Sequence, residues 1–333
     1  MIPAWRGTWN PKRRRSRAAA RGLRAMARKR KGDPVSGWLV IDKPAGVTST
    51  QVVGKVRRIF NAAKVGHGGT LDPLATGILP IALGEATKTI PFIMDGRKRY
   101  RFTVRWGEAR ATDDAEGAVT ATSDRRPSEA EILACLPRFT GEIEQVPPAF
   151  SAIHVDGERA YDLARAGEVV ELAPRRITIH AFRLAAMDDA DHASFEVCSG
   201  KGAYMRALGR DLALCLGTCG HISALRRLAV GPFEESQAIS LESLVALGHS
   251  PAAFGHLRPV ETALDDIPAL ALTDIEANSL RSGQPVGFIR RQDAGRVSHI
   301  SSGTLVCATA GGKPVALARF EAGDLRPVRV FNL

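Results

Sequence analysis

The sequence predicts an α+β fold with a mainly antiparallel, mixed sheet, followed by a small β-rich C-terminal module. Three observations lead there. Strand-like and helix-like segments follow one another irregularly instead of in repeated βα pairs, which disfavours a doubly wound fold. Several strand-like segments are long and have hairpin-like neighbours. A stretch rich in Gly, Pro and Ala, GHSPAAFGHLRPV at 248–260, separates a body of mixed elements from a shorter run of strands. The expected division is therefore a basic extension over residues 1–36, a main domain over 37–250 and a terminal module over 251–333.

GWLVID (37–42) reads as a buried strand stopped by the turn Lys43-Pro44-Ala45-Gly46. Ser49 or Thr50 then caps a helix in which Val52, Val53, Val56, Ile59 and Phe60 recur at helical spacing, leaving Lys55, Arg57 and Arg58 outside. ILPIALG (78–84) is a buried strand, and ATKTIPFIM (86–94) a short helix interrupted near Pro91. RKRYRFTVRWG (97–107) alternates Tyr100, Phe102, Val104 and Trp106 against Arg99, Arg101, Thr103 and Arg105, the period of a half-buried strand. Ser128 with Glu131 forms a capping box that opens a helix over 128–139. Strands follow at 149–155, 175–186 and 193–199, then a helix from Ala203 to Leu216. The terminal module holds a helix-like run (271–283) and strands near 304–309, 314–319 and 326–331.

Composition limits the function classes. At 333 residues, 44% hydrophobic and 24% charged, the chain is long enough for one large domain and a small one. No apolar run approaches the roughly 20 residues that cross a bilayer, and the basic N-terminus has no apolar core behind it, so a cytoplasmic protein without membrane association is expected. Five cysteines, an odd number without framework spacing, are expected to stay reduced. The net charge of +11 sits at one end. Residues 1–36 hold twelve Lys or Arg and one acid; taking these from the 46 bases and 35 acids leaves 34 of each, so the body is neutral. Such an extension can contact phosphate backbones without reading sequence, but the block of like charge favours a plain disordered arm, or a start at Met26 instead of Met1.

The segment GHGGTLDPLATG (66–77) sets four glycines around Asp72. It lacks the Lys of a Walker loop and the third glycine of a dinucleotide fingerprint. Cys215, Cys219 and His221 lack the partner pair of a zinc site, so no metal is expected. No Ser occupies a nucleophile elbow. A carboxylate that attacks an anomeric carbon remains, although retaining glycosidases add a second carboxyl at roughly 5 Å, and Asp113, Asp114 and Glu116 read as a solvated turn.

GHGGTLDPLATG, with LPIALGEATK (79–88), KRY (98–100), YDLARAGEVVEL (161–172), SGKGAYMRALGRDL (199–212) and LRRLAVGPF (225–233), resembles the bacterial tRNA pseudouridine-55 synthases, the TruB family. The resemblance runs from about Gly37 to Leu333. It implies the pseudouridine synthase fold with a PUA-like terminal module, and an isomerase that converts a T-loop uridine of tRNA to pseudouridine without cofactor. By the same resemblance Asp72 is the essential aspartate, acting along a glycal path or an acylal or Michaelis path. Arg206 pairs with it, and a guanidinium favours the charged carboxylate that attack requires. Tyr100 stacks on the target base and helps remove the C5 proton. His67 inserts into the RNA where the nucleotide is flipped out; Tyr204 and Leu225 line the pocket, and Lys88 borders it. The family's TDT-x-D pattern is replaced here by Arg110-Ala111-Thr112-Asp113-Asp114, which leaves the loop over the RNA open to difference. The resemblance implies a monomer with no obligate protein partner and tRNA as its ligand. A synthase acting on another RNA, or a tRNA folding helper, are the alternatives.

Overall fold

The computed structural model describes residues 32–151, 154–155, 158–159, 172–288 and 293–333. The basic segment as far as residue 31 and the YDLARAGEVVEL motif up to residue 171 lie outside the described residues.

Strand β1 (Gly37–Lys43) is covered on both faces, and its alternation divides two cores. Leu39 and Ile41 join one cluster, Trp38 and Val40 the other. A strand buried on both sides reads as an unbroken apolar run, as GWLVI does. Helix α1 (Ser49–Ile59) is capped by Thr48, one residue before the nearer expected cap Ser49: Thr48 accepts from the Gln51 backbone, and Gln51 closes a capping box. Val52 and Val56 face the sheet, while Arg57 and Arg58 are exposed.

Strands β2 (Val65–His67) and β3 (Thr76–Leu83) form an antiparallel pair around the glycine loop. A 3-10 turn over residues 84–88 leads to helix α2 (Ile90–Asp95), where Pro91 lies in the first turn. It opens the helix instead of interrupting one, because a proline there gives up no helical hydrogen bond. Strand β4 (Lys98–Trp106) keeps the predicted alternation. A small β5 (Glu108–Arg110) and β6 (Val119–Thr122) ribbon follows, then helix α3 (Glu129–Cys135) with the Ser128–Glu131 capping box. Strand β7 (Gly141–Gln145) is additional to the expected elements. The strand expected at 149–155 contracts, among the described residues, to β8 (His154–Val155), paired with β9 (Glu158–Arg159).

Strands β10 (Arg175–Met187) and β11 (His192–Ser199), helix α4 (Met205–Cys215) and strand β12 (Gly220–Val230) complete the main layer. They are followed by β13 (Phe233–Glu234), β14 (Ile239–Ser240), α5 (Leu241–Leu247) and α6 (Pro251–Phe254). The sheet order is β14-β1-β3-β12-β4-β11-β10-β7, with β2 beside β3 and β13 beside β12. Among the described residues its parallel pairs are β1 with β14 and β3 with β12.

Strand β12 is central yet absent from the sequence expectation. Register shifts at Ile222/Ala224 and Arg227/Ala229 break its period of two. The bulged segment therefore carries no clean strand signature. Where β12 meets β3, Gly77 pairs with Arg227 at φ 96°. A Cβ on Gly77 would stand 2.2 Å from the Arg227 carbonyl oxygen, so only glycine permits this approach.

The C-terminal module is a five-stranded sheet ordered β15 (Ala269–Ala271), β17 (Leu305–Ala310), β18 (Lys313–Glu321), β19 (Asp324–Val330) and β16 (Val286–Gly287), with helices α7 (Asp274–Arg281) and α8 (Ala294–Val297). Cys307, Leu317 and Phe331 pack with Trp38, Ile78 and Phe233 of the main sheet. Among the described residues no helix is long and apolar enough to cross a membrane. The cysteine expectation needs a correction, because Cys135 of α3 and Cys215 of α4 are bonded to each other. Their 80-residue separation offered no cue, and the ends of the two helices meet only in the fold. Cys198, Cys219 and Cys307 are free.

Candidate active site

Asp72 lies in the connection between β2 and β3, and nearly every turn of that connection is anchored. Gly68 donates to the Pro80 carbonyl at 2.8 Å, and Gly46 to the Pro73 carbonyl at 2.8 Å. Ser49 Oγ donates to the Leu71 carbonyl at 3.0 Å and accepts from the Leu71 amide at 2.9 Å. Two buried cations grip the same loop. Lys43 Nζ donates to the carbonyls of Pro44, Val47 and Pro73 at 2.9, 2.7 and 3.2 Å. The Arg227 guanidinium donates to Ile78, Thr70 and Gly69 at 2.8, 3.3 and 3.0 Å. Glycines beside Asp72 thus provide tight turns, and the cations remove the freedom that glycine brings.

Arg206, at the start of α4, is 4% exposed and sits between two carboxylates. Its Nε lies 2.9 Å from Asp72 Oδ2, an ion pair by distance without the alignment of a hydrogen bond. Nη1 is 3.4 Å from Asp114 Oδ2 and donates to the Thr112 carbonyl at 2.9 Å; Nη2 donates to the Phe150 carbonyl at 2.9 Å. The guanidinium is therefore clamped from the side opposite Asp72, and its remaining edge faces that carboxylate. Asp114, 2% exposed, accepts from the Glu116 amide at 3.0 Å and from the Thr112 hydroxyl. Its sequence context, ATDDAEG, reads as a solvated turn. The turn is instead closed by Arg110, which donates to the Ala115 and Gly117 carbonyls at 3.2 and 3.0 Å and to Glu108 at 2.9 Å. In place of the missing Thr-Asp pair, an arginine orders the loop.

Asp72 and Arg206 stand in the wall between two cavities. One, of about 280 Å³, is also lined by Tyr100, Tyr204, Leu225 and Arg227. The other, of about 420 Å³, is lined by His67, Thr112, Asp114 and Glu116. The first has an aromatic and aliphatic lining with the carboxylate and guanidinium on one side, a setting for a planar ring beside a nucleophile. Burial raises the Tyr204 phenol above its ordinary value, and burial lowers the His67 imidazole below its own, with Arg227 adding to the effect. The carboxyl of Glu116 is raised by burial and by its neighbours Asp114 and Asp72. Lys43 and Lys98 are both lowered to about 8, chiefly by burial.

Of the seven residues singled out in the sequence, six come together: Asp72, Tyr100, Tyr204, Arg206 and Leu225 around the first cavity, and His67 at the second. Lys88 does not. Its Nζ bonds Glu85 at 2.6 Å and the Val330 carbonyl at 2.7 Å, so it ties the 84–88 turn to β19 and lines neither cavity. Arg227 is absent from the sequence reading; in the structure it stands opposite Tyr100 as Leu225 stands opposite Phe102, on the same side of β12. Among the described residues no group of three or more His, Cys, Asp or Glu is arranged to hold a metal ion.

Comparison with known proteins adds the following. Residues 57–205 match the family described as TruB family pseudouridylate synthase (N terminal domain), and residues 206–265 the tRNA pseudouridylate synthase B C-terminal domain. A relative from Rhodospirillum rubrum named tRNA pseudouridine synthase B is 55% identical over 308 residues, covering 92% of this chain and 100% of its own. A relative of the same name from Bradyrhizobium diazoefficiens is 59% identical over 305 residues, 90% of this chain and 86% of its own. Among solved structures, an H/ACA RNP bound to a substrate RNA containing 2′-deoxyuridine has a chain similar in fold, with a TM-score of 0.68, 23% identity and coverage of 93% of both chains.

Proposed function

The chain belongs to the TruB family of pseudouridylate synthases, and from that premise we infer that it isomerises uridine 55, in the T loop of tRNA, to pseudouridine. The observation that carries the reading is the carboxylate of Asp72, held on an anchored loop 2.9 Å from a clamped, buried arginine in the wall of a cavity with aromatic and aliphatic lining. A base that is stacked and paired cannot be turned, so the uridine is flipped into this cavity. His67, on the neighbouring wall, fills the space that the nucleotide leaves in the RNA.

Asp72 then acts as nucleophile or base while the C1′–N1 bond breaks. Arg206 orients the carboxylate by the ion pair. The freed uracil turns between Tyr100, Tyr204 and Leu225, and C5 bonds to C1′. The Tyr100 oxygen helps carry the C5 proton away as the ring's double bond is restored, and the freed N1 takes up one proton, so the count of protons is unchanged. Reactant and product are isomers, so the reaction calls for no oxidant and no energy donor. Lys88 contacts RNA only if it leaves Glu85 and Val330. The reading carries with it a monomer in the cytoplasm without an obligate protein partner, with residues 37–250 as the catalytic domain, 251–333 as an RNA-binding module and the basic extension as an auxiliary arm.

The test is pseudouridine-specific chemical mapping of an unmodified tRNA transcript. Wild-type protein marks the T-loop uridine, and Asp72→Asn binds the transcript without marking it. A mark made by Asp72→Asn at wild-type rate would remove the aspartate from the chemistry. A mark elsewhere, or only on another RNA, would change the substrate.

A further inference from the structure

Arg227 is 2% exposed, and among the described residues no carboxylate comes within ion-pair distance of it; Asp72 attracts it only from farther off. A buried cation in that state is costly and needs a reason. Three of its hydrogen bonds go to carbonyls of the loop around Asp72, those of Gly69, Thr70 and Ile78. The Tyr100 phenol is a further neighbour, and its attraction favours the charged guanidinium. Strand register explains the meeting, since Arg227 of β12 lies directly opposite Tyr100 of β4, and both line the cavity beside Asp72.

One rigid, planar fork is therefore bonded to the loop that presents the carboxylate and lies against the strand that presents the phenol.

We propose that Arg227 is a positioning residue of the isomerisation, fixing the Tyr100 hydroxyl relative to Asp72 so that it meets C5 once the base has turned. The proposal rests on the roles assigned above to Asp72 and Tyr100. Lysine is a poor substitute, because an ammonium is a compact point charge without the fork that reaches three carbonyls and the phenol side at once.

The experiment is single-turnover conversion of an unmodified tRNA transcript by full-length protein, with uridine either protiated or deuterated at C5, for Arg227→Lys, Tyr100→Phe and the double variant. Arg227→Lys is expected to lower the rate by roughly 100-fold, the scale of a small misplacement of a reacting group. Its affinity for the transcript stays within about threefold of wild type. The isotope effect rises above the wild-type value, because C5 deprotonation becomes the slow step. The double variant falls little below Tyr100→Phe alone, as expected for residues acting as one unit.

Losses that multiply in the double variant would overturn the proposal, as would a slowed Arg227→Lys whose isotope effect does not rise, or one that loses affinity instead of rate. A Tyr100→Phe enzyme at wild-type speed would fail the reading of Tyr100 itself, a distinguishable result. Melting curves accompany each variant. If Arg227→Lys does not fold, Arg227→Gln replaces it in the cycle. If neither folds, the residue serves the fold alone and the proposal falls.

Discussion

His67 has a buried Nδ1 without a hydrogen-bond partner among the described residues, and its surroundings favour the neutral ring. The sign of its linkage follows from proton counts. The unfolded chain takes up a proton as pH falls through the ordinary value of 6.5, while the folded chain resists it. The unfolded state then binds more protons, so stability is present above that pH and is lost below it. The melting temperature of wild type should therefore drop more steeply between pH 7 and pH 5 than that of His67→Gln. Parallel curves would mean that the ring titrates alike in both states. The same scale shows why some site residues were legible and others not. Asp72 and Arg206 stand in long motifs whose order and separation are diagnostic. Arg227 is the second of two adjacent arginines, and only the pairing of β12 with β4 reveals that Arg226 turns outward to Asp42 and Glu235 while Arg227 turns inward. Asp114 looked solvated because the arginine that buries it comes from 92 positions further along the chain.

Among the elements, those with one clean period were readable. Strand β4, helix α1 and the Ser128-capped helix α3 are stated by spacing and caps. Strand β12 was not, since its two bulges shift the alternation twice within eleven residues. Nor was β7, whose GEIEQ holds too few apolar residues to show a face. The approach of β3 to β12 can be tested at Gly77. With φ at 96° and the Arg227 carbonyl in the way, Gly77→Ala combines backbone strain with a steric clash. It should destabilise the protein by roughly 3 kcal/mol or more, read as a lower melting temperature. A variant that melts with wild type would mean that the two strands separate there at little cost.

For the whole molecule, the separation of charge is the simplest lever. The body is balanced and the excess lies in residues 1–36, so recognition of the T loop is expected to rest on shape and a flipped base, with the extension adding non-specific attraction. Deleting residues 1–25 should weaken tRNA binding and flatten its salt dependence while the single-turnover rate at saturating enzyme stays within about twofold. A large loss of that rate would give the extension a part in the chemistry. The anchoring of the Asp72 loop has a consequence for how the enzyme fails on heating. Among the described residues its side-chain grips come from β1, α1 and β12, three elements of the main core that open only when the core does. Many enzymes lose activity below their melting point because the catalytic segment opens locally. Here residual activity and tertiary structure should decline along one curve, the catalytic apparatus surviving for as long as the sheet that holds it.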